Sequence, residues 1–299
     1  MAKKTFDDIY NEISATCLEE LEFERKKENK TRNTIILIGF IIVTIVSLVF
    51  QQLFIQLYIV IFIIAITVSK IKSKYTKIFK EKVITTFVKS YDENLQFDAT
   101  RGINSATYVD AEFERHFDRY SCEDLISGTT DDDFSIMLSE VHTENEHTDE
   151  DGHTHYTTLF HGLFGCVTTQ KNVEAPVTIH SDKGFFGKLF KNKTKIEMDS
   201  AEFEKQFDVC SENKIVAMQI LTSDVMNFML DFKEKYKTKF EITLKNNKIY
   251  IRFYTGDTFE PSHFKNSLDK DLLLKYYNII NFTIDFCKLI NKTVKDTEI

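Results

Sequence analysis

From Thr34 to Val68 the chain runs for 35 residues, TIILIGFIIVTIVSLVFQQLFIQLYIVIFIIAITV, without one charged side chain. A helix crosses the hydrocarbon of a bilayer with about 20 apolar residues. The run is therefore too long for one upright span and close to the minimum for two. Gln51, Gln52 and Gln56 gather at its middle, where a tight turn between two spans has to meet water. The expected arrangement is a hairpin of two transmembrane helices, 34–50 and 53–68. The run starts too late and lacks a small-x-small cleavage site, which argues against a cleaved signal peptide.

The flanks supply the orientation. Arg25, Lys26, Lys27, Lys30 and Arg32 precede the first span, and Lys70, Lys72, Lys74 and Lys77, with Lys80 and Lys82, follow the second, while the turn carries no basic residue. By the positive-inside rule both flanks, and hence both termini, are expected on the cytosolic side of a two-pass bacterial inner-membrane protein. The same side chains suit anionic headgroups, so the lipid bilayer is an expected partner. Residues 1–33 carry a net charge of −1, 34–68 none, 69–91 +6 and 92–299 −13. A main domain this acidic repels phosphate backbones, which argues against nucleic acid as a partner.

On the N-terminal side, residues 1–33 read as a cytosolic amphipathic helix. Phe6, Ile9, Ile13, Cys17, Leu21 and Phe23 recur at helical spacing, with Thr5 placed as N-cap. Residues 69–91 read as a basic juxtamembrane helix with its own stripe, Ile71, Tyr75, Ile78, Phe79, Val83, Phe87 and Tyr91. A short turn makes the two spans antiparallel neighbours, so these stripes are expected to face each other in a cytosolic stalk; packing of the stripes on the globular domain is the alternative. Cys17, Cys122, Cys166, Cys210 and Cys287 are odd in number and contain no CxxC, which points to reduced thiols and against a disulfide framework or zinc ribbon.

Beyond residue 91 the period changes, and 92–299 read as one α+β domain on a mainly antiparallel sheet. Strands are expected at Asp133–Thr143, His155–Thr169 and Val177–His180, with TDEDG as a turn between the first two. Phe240–Leu244 and Ile249–Tyr254 read as a hairpin across KNNK. Helices are expected from Thr222 or Ser223 to Tyr236 and from Asp269 to Thr293. AEFERHFD at Ala111–Asp118 returns as AEFEKQFD at Ala201–Asp208, and each is expected as a short amphipathic helix.

The stretches RYSCEDLISG (Arg119–Gly128), SEVH, HYTTLFHGLF (His155–Phe164), FEKQFDV, ILTSDVMNFMLDF, KIYIRF and FEP, in that order behind a membrane hairpin, resemble a bacterial family of two-pass membrane proteins known as domain of unknown function 3137. The resemblance implies the topology and a cytosolic α+β body, and it implies no catalytic residues.

Two stretches could carry chemistry. EVHTENEHTDEDGHTHYTTLFHG, Glu140–Gly162, holds five of the eight histidines among carboxylates. If the turn lies near Thr148–Gly152, His142 falls across from about His155, and His153 shares a strand face with His155. These imidazoles, with Glu140 or Glu144, form a candidate site for Zn(II); a solvated, mobile loop tip is the competing reading. GFFGKLFKNKTK, Gly184–Lys195, makes Lys183, Phe185, Phe186, Lys188, Phe190 and Lys191 candidate contacts to an anionic membrane face. No GxSxG, phosphate loop or kinase set is present. The functional expectation is a membrane-anchored cytosolic binding or scaffold module with a protein partner or a second copy of itself. The alternatives are a metal-dependent membrane-associated enzyme and an anionic-lipid sensor.

Overall fold

In the computed structural model the described residues are 4–49, 61–62, 65, 74–131, 133–181, 194–261 and 268–293. The second expected span falls largely outside them, as do Lys70, Lys72 and all the candidate lipid contacts from Lys183 to Lys191. The chain divides into two compact units, residues 1–90 with 259–273, and residues 91–258 with 274–299.

The first unit is helical. Helix α1, Phe6–Val49, runs unbroken through the boundary expected at residues 33 and 34. A capping box starts it: the Thr5 hydroxyl accepts from Asp8 N–H at 3.3 Å, and the Asp8 carboxylate accepts from Thr5 N–H at 3.1 Å. Ile9, Ile13, Cys17 and Leu21 are buried along one stripe, whereas Phe23, expected on it, is exposed. The facing stripe, Tyr75, Phe79, Val83 and Phe87, is buried too. It lies on helical residues 74–79, a π-helical turn Lys80–Ile84 and helix α2, Thr85–Tyr91. Cys17 Sγ reaches Lys82 O at 3.8 Å and Lys82 pairs with Glu20, which sets the two stripes against each other. The π-turn is closed by Thr85, whose hydroxyl and N–H both donate to Lys80 O. It leaves Lys80 buried, with its ammonium 2.8 Å from Glu260.

The second unit is an α+β fold whose sheet is antiparallel at every pairing among the described residues. Its strands are β1 Leu95–Asp98, β2 Arg119–Thr129, β3 Ser135–Thr148, β4 Thr154–His180, β5 Thr194–Ile196, β6 Asp208–Ser211 and β7 Phe240–Phe253. The order is β1-β2-β3-β4-β6-β5, with β7 also paired to β4. Helices α3 Ser105–Asp110, α4 Ala201–Gln206, α5 Lys214–Ile220 and α6 Ser223–Tyr236 accompany it, as does most of α7, Lys270–Thr293.

Three expectations are corrected. Val177–His180 is no separate strand but the far end of β4. KNNK is no hairpin turn: β7 passes straight through it, with Asn246 in the left-handed region that asparagine tolerates. Its polar residues lie across from the irregular middle of β4, where the register slips between Thr168 and Val173 and again before Val177. The ladder opens there and the chain does not reverse. Third, only the second copy of the AEFE repeat is helical. There Ser200 caps α4 by accepting from Phe203 N–H at 3.2 Å. In the first copy Ala111 already ends α3, and Glu112, at φ 56°, turns the chain away from a helix.

Strand β7 is buried on both faces, and its alternation sorts the core. Ile249, Ile251 and Phe253 point one way, and Tyr250, Arg252 and Tyr254 the other. Phe253 joins Phe232 of α6 and Phe282 of α7 in an aromatic cluster that includes Phe240, with centroids from Phe282 at 4.1, 5.0 and 5.8 Å to Phe232, Phe240 and Phe253. Tyr250 packs with Tyr108, Phe113, Phe160 and Phe164 in the opposite layer. Phe282→Ala removes the ring common to three elements and is expected to cost about 3–5 kcal/mol. Urea unfolding that shows a loss below about 1 kcal/mol would mean the two helices are not held to β7 through that ring.

Candidate functional site

The register of the β3–β4 hairpin decides where the histidines go. The turn is built on Asp149, whose N–H donates to His153 O at 3.0 Å and whose carboxylate accepts from His153 N–H at 2.7 Å. Thr148 then pairs with Thr154 and His147 with His155, and a bulge between Thr143 and Glu144 places His142 opposite His161. His142 is thus not across from His155, and His147 is on the ladder, not on the turn. His155 bonds Asp149 at 3.1 Å on the exposed tip. His153 lies in the turn. The expected set of His142, His153, His155 and Glu140 does not converge.

What converges on Glu140 is different. His161 Nε2 lies 3.2 Å from Glu140 Oε1 and 3.3 Å from Asp257 Oδ1, so one ring nitrogen faces two carboxylates. The other Glu140 oxygen accepts from Thr258 N–H at 2.5 Å. Glu140 is buried and Asp257 is 76 % exposed, which leaves the cluster open to solvent on one side. Burial pushes the Glu140 carboxyl up, against the opposing pull of the Thr258 N–H and His161. The His142 ring stacks on His161 at 4.5 Å with its Nε2 on Thr158 at 3.0 Å, forming a wall to the cluster. Burial, followed by the neighbouring His161, holds His142 below the ordinary imidazole range. A single nitrogen and two carboxylate oxygens form a donor set for a borderline divalent cation.

Asp257 reaches this place because of Gly162. A Cβ there would stand 2.0 Å from Phe253 O, so only glycine lets the end of β7 close on β4. The loop after β7 is then pinned by Gly256 N–H to His161 O at 3.2 Å and by Leu163 N–H to the Thr255 hydroxyl at 3.1 Å. His161 and Gly162 stand in the quoted HYTTLFHGLF, yet no local pattern ties them to Asp257. The link is the long-range pairing of Leu163 with Phe253.

On the inner face of the same strands lies a charged cluster with no counterpart in the sequence expectations. Arg252, 1 % exposed, donates through Nε to Glu241 at 2.6 Å and through an η nitrogen to Glu114 at 2.7 Å and the Tyr108 hydroxyl at 2.9 Å. Its guanidinium lies over Phe113 and Phe160 at 4.6 and 5.1 Å. Thr143 donates to the second Glu114 oxygen at 3.0 Å, Tyr254 donates to Glu241 at 3.3 Å, and the His180 ring is 3.4 Å from the other Glu241 oxygen. Glu114 belongs to the first AEFE copy. Its capture by Arg252 is what that copy gains by not being a helix. These contacts tie β7 to α3 and the segment after it.

Burial alone would raise the Glu241 carboxyl, but Arg252 and then His180 outweigh it and hold the pKa near 2, against an ordinary 4.5. A carboxyl lowered in the folded state adds stability that is present above about pH 4.5 and is lost as pH falls toward 2. The shift corresponds to about 3 kcal/mol. Glu241→Gln should flatten the stability–pH curve across that acid window, and an unchanged slope between pH 4.5 and 2 counts against the pairing. Arg252→Met strands two buried carboxylates and is expected to cost about 3–5 kcal/mol at neutral pH. Chemical unfolding reads the loss, and a cost under about 1 kcal/mol would show that the carboxylates do not depend on the arginine.

No curated protein matches the chain. Among solved structures it is similar to the crystal structure of the mycobacterial trehalose monomycolate transport factor A, TtfA, at 7 % identity and a TM-score of 0.44, over 70 % of this chain and 94 % of that one. A likeness at that level carries nothing over. Residues 158–292 match the model of the family described as protein of unknown function (DUF3137). Over β4 to α7, therefore, this chain resembles DUF3137, the family to which the sequence motifs point.

Proposed function

We propose that the chain is a membrane-anchored module of the bacterial cytoplasmic membrane, whose α+β unit binds a protein partner or a second copy of itself on the cytosolic side. The observation that carries this reading is the change in character along α1. Up to Leu21 the helix buries a single stripe. From Ile36 to Ile42 it exposes Ile36, Leu37, Ile38, Phe40, Ile41 and Ile42 around most of the helix, with no charge among them, and only the line through Ile35, Gly39 and Val43 is covered. Six large apolar side chains around one helix are costly in water at about 25 cal/mol per Å² and cost nothing in hydrocarbon. Among the described residues no single helix is long and apolar enough to cross a membrane. The charge-free run nevertheless continues in sequence to Val68, and two spans are the reading that fits its length. Arg25, Lys26, Lys27, Lys30 and Arg32 stand on α1 just before the apolar stretch, where headgroups would meet them.

A tethered unit works in a thin layer, where weak contacts gain from raised local concentration.

Two measurements test the anchor. The native chain should stay in the membrane pellet through alkaline washing. Ile38→Lys with Ile41→Lys, at about 2.5–3.5 kcal/mol per charge, should shift it toward the soluble fraction. A reporter inserted at Gln51 should be active only outside the cytosol, and one fused after Ile299 only inside. A wild-type chain released by the wash, or the reverse reporter pattern, sinks the reading.

A further inference from the structure

We propose that Glu140, His161 and Asp257 form a binding site for one divalent transition-metal ion of the Zn(II) class. The inference stands independently of the membrane anchor. Zn(II) held tetrahedrally with bonds of about 2.0–2.1 Å separates its ligand atoms by roughly 3.3–3.4 Å. The two separations from His161 Nε2, 3.2 Å to Glu140 and 3.3 Å to Asp257, are close to edges of that tetrahedron. They are also longer than the roughly 2.7–2.9 Å of a charge-assisted hydrogen bond. All three donor atoms lie within 4.8 Å of one another.

Charge points the same way. Two carboxylates beside one imidazole nitrogen leave an excess negative charge that a single N–H proton cannot serve on both sides. A dication with three protein ligands neutralises both carboxylates and keeps a fourth position for water or a partner's donor, the pattern of open zinc sites. The support expected around a metal ligand is present as well. Thr258 N–H fixes the far oxygen of Glu140, the His142 ring stacks on His161, and Gly256 N–H ties the Asp257 loop to His161 O. Asp257 faces solvent and provides the entry path.

The chain also carries His147, His153 and His155 on the hairpin tip, a surface that can pick up metal adventitiously, so the test separates the two places. Full-length protein in detergent is titrated with Co(II), whose visible spectrum reports a low-coordinate N/O site, and Zn(II) is then added as competitor. One equivalent per chain, displaced by Zn(II), is expected. Asp257→Asn alters an exposed side chain and should leave the circular dichroism unchanged. It should weaken Co(II) binding by more than about 100-fold, beyond what outer-shell changes cost, while His153→Ala with His155→Ala leaves binding intact. Absence of stoichiometric binding overturns the site and leaves His161 as a hydrogen-bonding neighbour of the two carboxylates. Binding that survives Asp257→Asn but disappears with the tip histidines overturns it too, by assigning the ion to the hairpin tip.

Discussion

A guanidinium closed off from water has to be paid for by everything around it, and in the second unit Arg252 sets the terms. Its charge is tolerable only because Glu241 comes from the other end of the same strand, Glu114 from the segment after α3, and Tyr108 from α3 itself. Two pieces of chain far apart in sequence, residues 108–114 and β7, must be in place at once. The cluster is therefore a test of correct assembly: a register slip of one residue along β7 would turn Arg252 toward Phe282 and its aromatic neighbours, away from Glu241 and Glu114. Apolar packing on both faces supplies the larger share of the stabilisation, and the buried charges select one arrangement among the many that such packing permits.

Much of this was legible in the residues, and its limits have physical causes. Long elements with strong periods, such as α6 and α7, follow from burial along one face and came out close to their observed bounds. The antiparallel β3–β4 hairpin was readable from TDEDG, but its register was not. With Thr148 paired to Thr154 the ladder by itself carries His142 out to Phe160, well beyond His155, and the bulge at Thr143 adds the last residue to His161, a step that leaves little trace in composition. KNNK misled because a polar tetrad between two alternating stretches has the same local signature whether the chain turns or merely crosses an irregular stretch of its neighbour. The AEFE repeat shows the most direct override. Identical local propensity gave a capped helix where Ser200 and Met198 N–H serve it, and an irregular turn where Arg252 demands the glutamate.

The candidate metal residues show a different limit. Glu140 was named from sequence, whereas His161 was seen only as part of a motif and Asp257 not at all. An N/O site assembled by non-local strand pairing has no spacing rule to betray it, unlike zinc motifs carried on one hairpin. The retrospective signal is the pair His161-Gly162, since a glycine in the middle of an apolar strand asks what approaches it so closely.

Both clusters depend on the last residues of β7. Arg252 points inward to Glu241 and Glu114; one residue on, Phe253 O passes over Gly162; four residues beyond that, Asp257 points out to His161. Because backbone alternation ties these directions together, the packing that locks Arg252 also limits how far the 254–258 loop can drift from Glu140. A shell that positions ligands to within a few tenths of an ångström needs such a rigid base, and a loop on an unpinned strand end would not provide it. The buried cation thus serves the exposed cluster indirectly, by fixing the strand from which that cluster's most exposed ligand is hung.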